Sequence, residues 1–450
     1  MGVSKELYMV EQQNQYAVKK GYLAFAYLIC LFVLLLLFRD VGGYPVSKYF
    51  FIGIASLIYL FGEQTHIVAF LAFITPLGLG VSYNYMQMIA LLFIFFKSER
   101  IEIGKAILFP FLIVFIELTH SFFSPIDSLG EFIRSVMMII LVAFLFLDKS
   151  KVYDYRFILK MYLLGFVVLA FFSLYNISQL GSVDKFLEMG TTLGKNILAG
   201  REGTRIFAGN NDMGLFAAMA VAVSLLLILT NQGNKILLSL IVILGFALGL
   251  MATSRSFVFS AMFCLMLSIL FSAKNPKNLM RSLAIAAVLS LVIILLVNTI
   301  LSGAYATFNK KMQMADISNG RFSVFAFYMK AFLSEPKIFL TGMGLQNYVI
   351  KANAPESVHN AVQEVLIAWG SIGFLLVTGF FAALYQNAVR LVPKKRRALI
   401  FLMPALVYLF RAQLARIFSV GTEALPLLIV YCSIALNSQI AGWEGKEDGS

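Results

Sequence analysis

Residues 21–38 read GYLAFAYLICLFVLLLLF and end against Arg39-Asp40. No charge interrupts this run, and as a helix its eighteen residues reach about 27 Å, close to the hydrocarbon thickness of a bilayer. Similar runs follow at residues 49–61, 67–80, 83–96, 106–120, 130–147, 157–177, 212–230, 236–251, 256–272, 282–302, 362–386, 398–411 and 424–437. Lipid offers no partner to backbone N–H and C=O groups, so a spanning segment must satisfy them itself or close into a barrel. Continuous apolar runs, where a barrel would show alternating strands, choose helices. The expectation is an all-α polytopic membrane protein, a bundle of 12–14 transmembrane helices in one domain over residues 1–450. Pro76, Gly78 and Gly80 break the third run, so residues 49–96 hold two spans or three.

Composition agrees with this reading. Of 450 residues 60% are hydrophobic and 13% charged, against about 25% charged in soluble domains. Met1 to Lys20 is polar and no small-residue cleavage site follows Phe38, so residues 21–38 are expected to remain as the first span. The net charge of +13 reads as loop lysine and arginine, because no basic stretch alternates with aromatics as a base-stacking surface would; nucleic acid is excluded as a partner. Cys30, Cys264 and Cys432 lie inside apolar runs without metal-ligand spacing and read as buried small hydrophobes.

Loop charge sets the two faces apart. Lys19-Lys20, Lys97/Arg100/Lys105, Lys149/Lys151/Arg156, Lys235, Lys274/Lys277/Arg281 and Lys394-Lys395-Arg396-Arg397 fall on one side of a fourteen-span chain. By the positive-inside rule that side is cytoplasmic and holds both termini. The other side has two long loops, near residues 178–211 and 303–361. The second carries an amphipathic stretch, Phe322 to Phe332, suited to a membrane interface, then the turn signals Ser334-Glu335-Pro336 and Gly342-Met343-Gly344.

Arg201, Arg205, Arg255, Arg321, Arg411 and Arg416 all map to that external side, against the topological bias. Each alone reads as a snorkelling or carboxylate-paired residue, but as a group they suit a shared anion, because guanidinium forks match phosphate oxygens. The chain has three histidines. His66 reads as a solvated loop residue on the cytoplasmic side. Glu117 and His120 stand three residues apart on one helix face and read as a structural pair. His359, in Ser357-Val358-His359-Asn360 at the mouth of a span and one turn before Glu364, is the candidate general base. No Asp-x-Asp pair on the external side would hold a divalent ion, and no metal or cofactor is expected.

The segment from Arg201 to Gly373 resembles the bacterial O-antigen ligase/polymerase superfamily. The matching residues are Arg205-Ile206-Phe207-Ala208-Gly209-Asn210-Asn211-Asp212-Met213-Gly214, then Thr253-Ser254-Arg255, then Asn319-Gly320-Arg321. They continue through Pro336, Thr341-Gly342-Met343-Gly344, His359-Asn360 and Trp369-Gly370-Ser371-Ile372-Gly373. The resemblance implies a GT-C-like, metal-independent glycosyltransferase of the bacterial cytoplasmic (inner) membrane, working on its periplasmic or outer face. The donor would be a polyprenyl-diphosphate-linked oligosaccharide and the acceptor a sugar hydroxyl, with membrane lipid around both and a chain-length regulator protein as a further partner. Carried over by position, Arg205, Arg255 and Arg321, with Arg201 as an alternative to Arg205, would bind the diphosphate and His359 would be the base. Asn360, Glu364 and Asn211 would support them. Within this reading a polysaccharide polymerase is preferred to an O-antigen ligase that moves finished glycan to lipid A–core or protein. A polysaccharide flippase or secondary transporter is the rival outside it, and would show internal repeat symmetry.

Overall fold

The computed structural model describes residues 3–77, 81–98, 101, 105–123, 129–145, 153–179, 210–252, 254–272, 276–299, 321–345, 348–354, 358–391 and 400–413. Among them the regular structure is helical, without a strand. Every apolar run up to residue 411 overlaps a helix, and the run at 424–437 lies outside the described residues. The helices are α1 (Val3–Asp40), α2 (Lys48–Phe61), α3 (Gln64–Ile74), α4 (Val81–Phe96), α5 (Lys105–Phe123), α6 (Leu129–Phe144) and α7 (Tyr155–Ser178). After residues outside the description come α8 (Asn210–Leu229), α9 (Lys235–Met251), α10 (Arg255–Ser272) and α11 (Pro276–Thr299). Then come the short helices α12 (Arg321–Ser334), α13 (Pro336–Thr341) and α14 (Tyr348–Lys351), and last α15 (Ala361–Leu391) and α16 (Met403–Ala412).

Among the described residues five helices are long and apolar enough to cross a membrane: Gly21–Asp40, Tyr155–Ser178, Asp212–Leu229, Arg255–Ser272 and Ala361–Gln386. Their outward faces say the same. On α1, Phe25, Ile29, Phe32 and Leu36 are buried, while Leu23, Tyr27, Leu31, Leu34 and Phe38 form an exposed stripe. Leaving such side chains in water forgoes about 1.5–3 kcal/mol each, so a stripe of them needs an apolar surrounding. This is an all-α membrane protein.

The core forms around α8. Residues 213–228 are buried on every side and apolar except for Ser224, as suits a helix packed against α7, α9, α10 and α16 at once. Small residues permit the closest crossings. A Cβ on Gly165 of α7 would stand 2.0 Å from the Phe73 carbonyl oxygen of α3, so only glycine lets these backbones meet. A Cβ on Gly214 of α8 would stand 2.8 Å from Ser254 Oγ, which brings the start of α8 against the start of α10. Ser268, Ser272 and Ser282 link α10 to α11 through short hydroxyl contacts, which satisfy buried polar groups without charge.

The region 49–96 holds three helices. α3 is 11 residues long, and it passes into a single 3-10 turn, Thr75–Leu77, where Pro76 lacks an N–H to continue it. His66 is corrected here. It is 3% exposed, not a solvated loop residue. Its Nδ1 accepts from Glu63 N at 3.2 Å in a capping box, and Tyr22, Phe25 and Phe157 surround the ring. Burial of Cys264 agrees with the sequence, but Cys30 is exposed on the outward side of α1; Cys432 lies outside the described residues.

One end of the bundle carries α12, α13 and α14. The expected amphipathic stretch is α12, which buries Val324, Tyr328 and Phe332 at four-residue spacing and exposes Phe322 and Leu333. With Ile338, Met343, Tyr348, Val358 and Ile367 these make a small core of their own. The neighbouring helix α15 is kinked at Gly370, whose φ is 68° and ψ −168°. The part after the kink, residues 371–391, has a length of about 30 Å, enough to span a bilayer alone.

Candidate functional site

The loop end of the bundle is held by a seam between two glycines. Gly342, at φ 74°, ends α13, and a Cβ there would lie 2.4 Å from the Ala368 carbonyl carbon and oxygen. Gly370 faces it, and a Cβ there would lie 2.3 Å from the Leu340 carbonyl. Across the seam Met343 N–H donates to Ile367 O and Gly344 N–H to Ala368 O, both at 2.8 Å, and Ser371 Oγ donates to Phe339 O. The motifs Thr341-Gly342-Met343-Gly344 and Trp369-Gly370-Ser371 are therefore two sides of one backbone contact.

Glu117 fastens α5 to this seam. It is 2% exposed, and its carboxylate accepts from Leu345 N at 3.0 and 2.9 Å and from Trp369 Nε1 at 2.8 Å. His120 Nε2 lies 2.7 Å from Thr341 O. A carbonyl only accepts, so that nitrogen carries the ring proton. Glu117 and His120 are structural, as their spacing suggested, and each holds the loop that caps the end of α5.

The same end gathers the arginines. Arg255 opens α10, Arg321 opens α12 and Arg411 stands in the last turn of α16. Arg411 is 2% exposed; Arg255 and Arg321 are half-buried. Burial lowers the Arg321 pKa below its ordinary value, and the nearby charges of Arg255 and Arg411 push it the same way. Three guanidinium groups from distant parts of the chain thus share one electrostatic neighbourhood.

Asn360 ties the histidine loop to that neighbourhood. Its Oδ1 accepts from Gln363 N at 3.0 Å and caps α15, while its Nδ2 donates to Gln413 O and Oε1, just past the end of α16. Gln363 Nε2 donates to Phe325 O of α12 at 2.7 Å, one turn beyond Arg321. His359, half-buried, is carried on this junction. Glu364 is fully buried in the first turn of α15. Asn211 falls in the first turn of α8, but its side chain is outside the description, as are Arg201, Arg205 and Arg416 altogether. The structure thus brings Arg255, Arg321, His359 and Asn360 to one end.

Arg411 joins them, although the family motifs do not include it. Its signal in the sequence was an arginine closing an apolar helix. The partners of Glu117, and any role for Gln413, had no local signal. Among the described residues no three His, Cys, Asp or Glu side chains gather closely enough to hold a metal ion. What the arrangement can do is attract an anion with several cations drawn from distant parts of the chain. No family model matches the chain, and no curated protein matches it.

Proposed function

We propose that this chain is a polysaccharide polymerase of the bacterial cytoplasmic membrane, with its loop end on the outer face. It transfers oligosaccharide repeat units from a polyprenyl-diphosphate carrier to a sugar hydroxyl of another lipid-linked unit, without a metal. The observation that carries this reading is the convergence of Arg255, Arg321 and Arg411 beside the loop that bears His359. Like charges that share one field partly out of water are unfavourable, and a bound diphosphate converts that repulsion into attraction.

In the reaction the acceptor hydroxyl oxygen attacks the anomeric carbon of the donor. The bond from that carbon to the diphosphate oxygen breaks, and the polyprenyl diphosphate leaves with the electron pair. Direct displacement inverts the anomeric centre. The arginines, fixed before the reaction starts, stabilise the charge that grows on the leaving oxygen. His359 takes the hydroxyl proton, as an imidazole placed beside an acceptor hydroxyl can. Repeat units and carrier keep their lipid tails in the bilayer, while the sugars meet above it.

The test is complementation of a deletion strain. His359→Ala and Arg321→Ala, both verified in the membrane, should leave surface glycan at one repeat unit on its anchor. Normal chain lengths in either variant would sink the assignment. Full-length glycan stranded on its carrier would instead indicate a ligase. Partial rescue by Arg321→Lys would mean that charge outweighs the bidentate fork.

A further inference from the structure

A cavity of about 760 Å3 lies between the loop end of α5 and the elbow of α12 and α13. Its volume suits a small molecule or the head of a lipid. One wall is apolar, with Phe115, Ile116 and Phe123 from α5. The same helix adds Thr119 and His120, and the other wall carries Glu335 and Lys337. Phe115 is 67% exposed and belongs to the outward stripe that continues through Phe122 and Phe123, the surface of α5 that an apolar surrounding must cover. The cavity therefore opens beside that surface, and an occupant can keep a chain in lipid and a polar head at Glu335 and Lys337.

The cavity is not the arginine site. Ala331, which lines it, is ten residues along α12 from Arg321, a separation of about 15 Å at the helical rise. Its charge also differs. Glu335 and Lys337 offset each other, and among the described residues no arginine lines it. Sugar hydroxyls find donors, acceptors and aromatic faces there.

We propose that this cavity binds the saccharide head of a second lipid, the acceptor, with its apolar chain along Phe115 and Phe123. The proposal rests on the polymerase reading for the word acceptor, but the site itself is defined by the cavity. The two lipids then approach from opposite ends of α12, and their sugars meet along it. Thr341, Gly342 and Met343 of the seam also line the cavity, and the Glu117 hydrogen bonds to Leu345 and Trp369 tie α5 to that seam.

The experiment uses the full chain in lipid nanodiscs. An alkyl maltoside carrying a diazirine on its chain is photolysed, and adducts are mapped by mass spectrometry. Adducts should concentrate on residues 115–123 and 331–343 and be competed by excess dodecyl maltoside. Ala331→Trp, which fills the cavity, should reduce them by about tenfold or more. Phe115→Ala, at an exposed position that the fold tolerates, should reduce them as well.

Labelling spread equally over the outward stripe of α1, or unchanged in both variants, overturns the site. A dodecyl phosphate probe that labels as strongly as the maltoside overturns the saccharide class. Farnesyl diphosphate binding, measured on the same samples, should survive Ala331→Trp and fail in Arg321→Ala. If farnesyl diphosphate ignores Arg321 while the maltoside result holds, the donor reading falls and the glycolipid cavity stands. The converse result removes the cavity and leaves the donor site.

Discussion

Replacing Gly370 with alanine should undock the α12–α13 elbow from α15. Gly370 sits at φ 68° and ψ −168°, a region that only glycine populates freely, and forcing a side-chain residue there costs on the order of 1–3 kcal/mol. The new Cβ would lie 2.3 Å from the carbonyl carbon and oxygen of Leu340 and 2.5 Å from Thr341 N. Backbone cannot swing aside as a side chain can, so the two segments must part by about 1 Å to restore ordinary contact. That motion stretches the Met343–Ile367 and Gly344–Ala368 hydrogen bonds, both 2.8 Å, each worth about 0.5–1.5 kcal/mol net. Strain and one lost bond amount to about 2–4 kcal/mol, or at least about thirtyfold more frequent local opening.

Hydrogen exchange on peptides covering residues 338–345, with the protein in nanodiscs, reads this directly. Gly53→Ala is the control, because nothing stands within 4 Å of its added Cβ. Gly342→Ala should behave like Gly370→Ala, and the double variant should lose less than the sum, since both open the same seam. Protection at 338–345 within about threefold of the unsubstituted protein in Gly370→Ala, a difference under 1 kcal/mol, would refute the reasoning.

Other substitutions probe the remaining contacts. Glu117→Ala strands the Leu345 N–H and the Trp369 Nε1–H, each at about 1–3 kcal/mol, and should lower the thermal midpoint in detergent; Glu117→Gln keeps one oxygen acceptor and should lose less, and equal losses would shift the explanation to charge. Gly165→Ala should destabilise the α3–α7 crossing by about 1–3 kcal/mol through overpacking against Phe73 O. Gly245→Ala, which meets the movable Val221 side chain at 3.0 Å, should lose less, and the reverse order would contradict the packing account. Arg411→Ala should weaken farnesyl diphosphate binding by about tenfold or more, with Arg411→Lys intermediate, and binding should weaken further as salt rises; unchanged affinity in calorimetry would remove Arg411 from the site.

Much of the bundle was legible because hydropathy is a local property. A run such as residues 155–178 needs no partner to declare its preference for lipid, and Asp154, whose carboxylate accepts from Phe157 N at 3.0 Å, marks where that helix begins. The amphipathic spacing of Val324, Tyr328 and Phe332 likewise announced α12. His66 was misread for the opposite reason. Polarity and a place between two apolar runs suggested a loop, but its ring became a helix cap buried under Tyr22 and Phe25, contacts that no window of neighbouring residues contains.

The candidate site divides the same way. Arginines at the ends of apolar runs and a histidine just ahead of one were visible as residue types in places where charge is unfavourable. By itself, then, the sequence determined a helical membrane protein and a short list of charged candidates, because both follow from composition within one segment. Only the tertiary structure decided that Arg255, Arg321 and Arg411 share a field, or that Glu117 bonds Leu345 and Trp369 across 228 and 252 residues. It also decided that Gly342 and Gly370 meet back to back. Those facts depend on which helix faces close on one another, and that is set by packing across the whole chain.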